Sequence, residues 1–396
     1  MTVADIPPCL QDFAHELCAD ALGAPMGKVE RKFVQSMLAG ISKARSVNLT
    51  EIAKGLDENI SLHATHKRLS RNLYDVDLAR NLADRLLKMG SARVGEETRL
   101  IVHVYELKKR FAQKIEYLPK SDDLSGSSFK VCEIIASEID RKAYFPLFTH
   151  VWSDQVPGFV SDAREVFQTV QTVLEATNNR GMLFLDDYSI GLAETEMILS
   201  DRSAEYTLLV HNRDIPVRYR DTDHSVADML ERIDTRYGKI LYKLVPVGVL
   251  GSSETDLDLF LHAGCAVVKL PLSGRAVNFV ALKTKSSLFK ESATPLLTTK
   301  TNLRSRKALM GLVDSYLSMQ DVIATHRSVR DSFNPENFRV LTYHRLQLLL
   351  TLLESVIYYE VSARGDDLQM DETFAPTPHQ GQLQRTYLLP DAYIKG

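Results

Sequence analysis

Most of the short sequence signatures that mark catalytic and cofactor classes are missing from this chain. No GxSxG, HExxH or Walker-type run occurs in its 396 residues, so a nucleophile elbow, a zincin helix and a P-loop are not expected. Its four cysteines, Cys9, Cys18, Cys132 and Cys265, form no CxxC pair. That spacing argues against a disulfide framework or a cysteine-built zinc site, and it fits a reducing compartment. The opening residues MTVADIPPCLQDF lack the basic and apolar regions of a secretory signal. No apolar run nears the roughly 18 residues that a membrane span needs. A soluble, cytoplasmic chain without a membrane partner is the expectation.

Charge of one sign is also scarce overall: the formal net charge is −3. Its distribution is less even. Residues 27–73 hold nine Lys/Arg against four acids, and residues 299–345 hold eight against four. Two basic segments are therefore masked by acidic stretches such as GDDLQMDETF near the end. Either segment alone is better read as a solvated helix face.

Periodicity divides the chain. Residues 1–95 read as helices throughout, with Phe33, Met37, Leu38 and Ile41 at helical spacing. Asn48 or Thr50 is placed to cap the next helix, and Gly90 to close the last one. The turn carrying Lys67, Arg68 and Arg71 resembles a helix-turn-helix reader of DNA backbone. From about residue 97 the pattern changes to TRLIVHVYEL, SFKVCEIIASE and YFPLFTHVWSD, three strands. An amphipathic helix, AREVFQTVQTVLEATNN, leads into the apolar strand RGMLFLDDYSIG. Residues 205–290 are rich in strands with little helix. ATPLLTTKTNL is one more core strand, and two long helices follow, at 303–328 and 336–362.

Three strands, a helix and a buried strand ending in acids is the order of an RNase H-like core. Several segments sharpen this into a resemblance to the DDE transposases of the insertion-sequence-four group. KRFAQKIEYL (109–118) is similar to that family's KxxAxKxE element, MLFLDDYSIG to its fourth-strand signature, and PLLTTKTN (295–302) to its LLTN strand. YLSMQDVIATHRSVR (316–330) falls on its Tyr-x2-Arg-x3-Glu-x6-Lys helix with matching spacing. The likeness covers residues 30–355. It implies an α/β fold of mixed α+β character, with a helical DNA-binding head (1–95) and an RNase H-like core in two parts (96–204 and 291–362). A β-rich insertion (205–290) and a polar tail (363–396) complete it.

The departures from the family pattern fall on its chemistry. His103 stands at the first catalytic Asp, Asp186 survives as the second, and Ile323 replaces the Glu; Met319 replaces the Arg, while Tyr316 and a basic Arg330 remain. Strand transfer uses two Mg²⁺ ions about 3.5–4 Å apart, held by carboxylates. A single acid does not hold two, so no cofactor is expected, and Mg²⁺ only if the protein is active. Glu106 alternates to the opposite strand face from His103, and Asp321 points away from Ile323 on its helix. His326, three residues after Ile323, would complete a two-His, one-carboxylate set with His103 and Asp186; a structural role for each histidine is the commoner outcome.

The resemblance therefore implies a double-stranded DNA binder without strand-transfer activity, associated with the bacterial nucleoid. Lys67, Arg68, Arg71, Lys109, Lys114, Arg304, Arg306, Lys307, Arg327 and Arg330 are the candidate phosphate contacts. An active transposase with displaced acids, and a protein-interaction module of transposase origin, remain the alternatives. The leucine-rich helix at 345–358 buries either a homodimer contact or the chain's own core.

Overall fold

The computed structural model describes residues 7–109, 114–119, 127–138, 143–186, 192–200, 204–246, 254–286 and 292–363. Over these residues the chain is a mixed α/β protein. It divides into two compact units, one of Met1–Gly181 with Val322–Asp367, the other of Met182–Asp321 with Leu368–Gly396.

The first unit begins with five helices: α1 (Pro8–Leu17), α2 (Lys28–Ala44), α3 (Leu49–Leu56), α4 (Leu62–Asn72) and α5 (Val76–Ser91). Their starts follow local capping chemistry. The Gly27 amide donates to Glu30 at 2.6 Å, the Thr50 amide to Asn48 at 3.0 Å, and the Ala64 amide to Ser61 at 3.3 Å. Each bond satisfies one amide that has no partner within its helix. Phe33, Val34, Met37, Leu38 and Ile41 recur every three to four residues along α2 and are all buried.

Three antiparallel strands follow, β1 (Arg99–Lys109), β2 (Ser127–Ser137) and β3 (Tyr144–Trp152), with β2 between the other two. Then comes α6 (Asp162–Thr177), capped when Ser161 accepts from the Arg164 amide at 3.2 Å. Gly90 does not close α5 as the sequence suggested, for the helix continues to Ser91. A Cβ at Gly90 would lie 2.6 Å from Leu147 Cδ2 on β3. The glycine is required by close helix–strand approach.

The second unit opens with β4 (Met182–Asp186), α7 (Leu192–Ser200) and β5 (Glu205–Leu209), and β4 and β5 are parallel. Parallel neighbours need a crossover, which α7 supplies. The hairpin of β6 (Pro216–Tyr219) and β7 (Thr222–Ser225) precedes α8 (Val226–Arg232), a helix inside the segment expected to be almost all strand. Then β8 (Tyr237–Pro246), β9 (Glu254–Lys269), β10 (Ala276–Ser286) and β11 (Ser292–Thr298) run as antiparallel neighbours, and β11 pairs with β5.

Helix α9 (Arg306–Asp331) starts in the second unit and ends in the first, where α10 (Tyr343–Tyr358) follows. Along α10, Leu346, Leu348, Leu349, Leu350, Leu352, Leu353, Val356 and Ile357 are all buried without a second chain. A helix apolar on every side belongs in a core, and α10 packs on α2, α5 and β3. Among the described residues no helix is long and apolar enough to cross a membrane.

Candidate functional site

The first unit holds a polar cluster inside its apolar core. Strand β2 reads FKVCEIIAS, and Glu133 in its middle is completely buried. His103 of β1 stands directly across from it in the antiparallel register. One face of the end of α9 supplies His326 and Arg330, four residues apart and therefore neighbours on the helix. The carboxylate of Glu133 accepts from Arg330 at 3.1 Å and meets His326 Nε2 at 3.2 Å, both through Oε2. An ionised carboxylate only accepts, so His326 donates to it through Nε2, while its Nδ1 has no hydrogen-bond partner among the described residues. From α10, Glu354 brings a second carboxyl against the first: ligand atoms of Glu133, His326 and Glu354 lie within 4.8 Å of one another.

Aromatic rings wall this cluster. The Arg330 guanidinium lies 3.6 Å from the centroid of Tyr105, which stacks with His103 at 5.8 Å. Tyr144 meets His326 edge-on at 5.9 Å. Such walls exclude water and lower the local dielectric, which strengthens every charge interaction inside.

The protonation states follow. Burial by itself would raise the Glu133 carboxyl, but the adjacent Arg330 and His326 outweigh it and hold the group well below the usual carboxylate range. Glu354 has the opposite fate. Burial, reinforced by the negative charge of Glu133, pushes its carboxyl well above that range, so without a cation it keeps its proton. Burial likewise drives the His103 imidazole down to about 3, against the pull of Glu133. Glu133 Oε1, Glu354 Oε2, His326 Nδ1 and His103 Nε2 are all buried without a hydrogen-bond partner among the described residues. Each such atom costs about 1–3 kcal/mol.

A second feature of the same unit is open to solvent. His63, His66, Lys67, Ser70 and Arg71 of α4 line a pocket with Arg345 of α10. The Arg345 guanidinium lies 4.6 Å from the centroid of Tyr74, whose ring meets His344 at 4.8 Å. Among the described residues no acid lines this pocket.

The candidate residues from the sequence are distributed unevenly over these features. Lys67 and Arg71 line the open pocket, and both are exposed. Arg68 turns away, donating to Glu58 at 2.6 Å, and Thr65 donates to the same acid. Lys109 donates to the carbonyls of Glu336 and Phe338 and lies over the Phe338 ring. Arg330 is buried on Glu133. Arg330, buried in the core, is a correction to its reading as a phosphate contact, while Arg68 and Lys109 are half-buried with partners inside the first unit. Lys114 and Arg327 are exposed in the first unit; Arg304, Arg306 and Lys307 are exposed in the second, where Arg306 also donates to Gly238 at 3.1 Å.

Of the three positions aligned with family acids, His103 faces Glu133 and Ile323 is half-buried on α9. Asp186 ends β4, and its side chain lies outside the described residues. The proposed His103–Asp186–His326 set is therefore not assembled by any described contact. The acids that do accompany the histidines are Glu133 and Glu354, which periodicity passed over. Their signal was a lone acid inside an apolar run, CEII and LLESVI. The chain matches no protein-family model, and no curated protein matches it either.

Proposed function

We propose that this chain is a transposase-like protein that binds the phosphate backbone of double-stranded DNA through α4 of its helical head and performs no strand transfer. The observation that carries this reading is the pocket lined by two histidines, Lys67, Arg71 and Arg345, with no acid among its described lining residues. Phosphate contacts of this kind supply affinity and register without reading bases. The short connection from α3 to α4 supports the same reading, since it has the plan of a backbone-crossing helix pair. Concentrating cations on one face also reconciles DNA binding with a net charge of −3. A cytoplasmic, nucleoid-associated location belongs to this proposal.

The absence of strand transfer rests on ligand chemistry. Mg²⁺ demands hard oxygen ligands. At two of the three family positions the chain offers an imidazole and a hydrocarbon, His103 and Ile323.

Two assays test the proposal. Fluorescence anisotropy with a labelled duplex at low salt should show binding that varies little with sequence and weakens in Lys67→Gln/Arg71→Gln. Undetectable binding would sink the DNA reading. Supercoiled plasmid incubated with Mg²⁺ should stay intact. Nicking that disappears in Asp186→Ala would restore the enzyme reading.

A further inference from the structure

The Glu133 cluster needs an explanation that DNA binding does not provide. Two carboxyls and an imidazole from three separate elements, β2, α9 and α10, converge inside the core of one unit. Each of the three side chains also presents an atom without a partner: Glu133 Oε1, His326 Nδ1 and Glu354 Oε2. Hydrophobic residues would have filled this space at lower cost. Purely structural carboxyls would be expected to have their lone pairs satisfied by backbone amides or hydroxyls. Glu196 in the second unit does that, accepting from the Leu272 and Ser273 amides at 2.7 and 2.8 Å.

We propose that Glu133, His326 and Glu354 form a buried site for one divalent transition-metal ion of the zinc class. The donor set selects that class. One imidazole with two carboxylates is the mixture that borderline cations take, while Mg²⁺ prefers oxygen and keeps several waters. Charge allows it: Glu133 and Arg330 already balance, and a cation that displaced the Glu354 proton would meet the one additional negative charge so released. Arg330 does not block the site. It donates to Glu133 through Oε2, leaving Oε1 for a metal, and acts as the outer partner that orients a ligating carboxylate. His103 Nε2, buried and unpartnered on the adjoining strand, is a further donor close to Glu133. The ion's role is structural, tying β2 to the two helices that cover it.

The site is separate from the α4 pocket, so the two proposals fail independently. The full chain, stripped with chelator and dialysed, is titrated with Zn²⁺ and read by calorimetry, elemental analysis and thermal unfolding. One Zn²⁺ per chain and a raised Tm are expected. Glu354→Gln, which mimics a neutral carboxyl and so preserves the fold, should weaken Zn²⁺ binding by about 10- to 100-fold or more. A His63→Ala/His66→Ala variant removes the two histidines that line the α4 pocket and should bind as the parent does. Should Glu354→Gln fail to fold, X-ray absorption of the zinc-loaded parent decides, with an all N/O shell containing one or two imidazoles expected. Substoichiometric zinc, a sulfur ligand, or full binding that persists in Glu354→Gln but vanishes in the α4 variant would overturn the proposal.

Discussion

Removing Arg330 should destabilise the first unit far more than removing an average surface arginine. The guanidinium is buried, lies on the Tyr105 ring and donates to Glu133 at 3.1 Å. Arg330→Met keeps most of the apolar volume but leaves the Glu133 carboxylate buried with only His326 and a second carboxyl beside it. Breaking a buried ion pair in this way costs about 3–5 kcal/mol. Glu133→Gln should cost a similar amount, because it leaves Arg330 charged in the same place. The double variant removes both charges at once, so its cost should fall short of the summed singles by about 2–3 kcal/mol, a coupling typical of contacting residues. Equilibrium urea unfolding measures this, and the chain provides its own probe. Its single tryptophan, Trp152, is buried in β3 of the same unit, where its indole donates to Asp162 at 2.9 Å. The work is done in chelator so that metal does not contribute. If the double variant costs the full sum of the singles, with coupling under about 0.5 kcal/mol, the two groups do not interact and the cluster has been misread.

Other consequences are simpler to state. His103 stays neutral in the folded chain down to about 3, whereas unfolded histidine protonates near 6.5. The unfolded state therefore binds more protons between these values, and stability falls as pH drops from 6.5 towards 3. In His103→Leu that slope should be shallower by about 1.4 kcal/mol per pH unit in this window, seen in urea unfolding at a series of pH values; parallel slopes would contradict it. Gly90→Ala should cost about 1–3 kcal/mol by overpacking against Leu147, seen as a lowered Tm; an unchanged Tm would mean that β3 yields freely.

Elements were legible wherever periodicity and capping agreed. Strands β1 to β4 and helix α6 occur where runs such as LIVHV and the amphipathic spacing of AREVFQTVQTVLEATNN placed them. Helix α8 went unrecognised, although Ser225 and Asp228 form a reciprocal capping box at its start; seven residues give periodicity too little length to register. The sign of the basic segments was legible, but not the pairing of each cation. Arg68 and Glu58 are ten residues apart, and only the fold brings them to 2.6 Å. Glu133 and Glu354 were hidden for a related reason. An acid inside an apolar run reads as a surface interruption until a partner from a distant segment, here Arg330, makes its burial tolerable.

The salt dependence of duplex binding tests the proposed role of α4 most directly. Plotted as log K against log salt concentration, each phosphate contact contributes a slope of about −0.9. Lys67→Gln/Arg71→Gln should make the slope shallower by about 2 while leaving thermal stability unchanged, since both side chains are exposed. A slope identical to that of the parent chain would contradict DNA binding through this face.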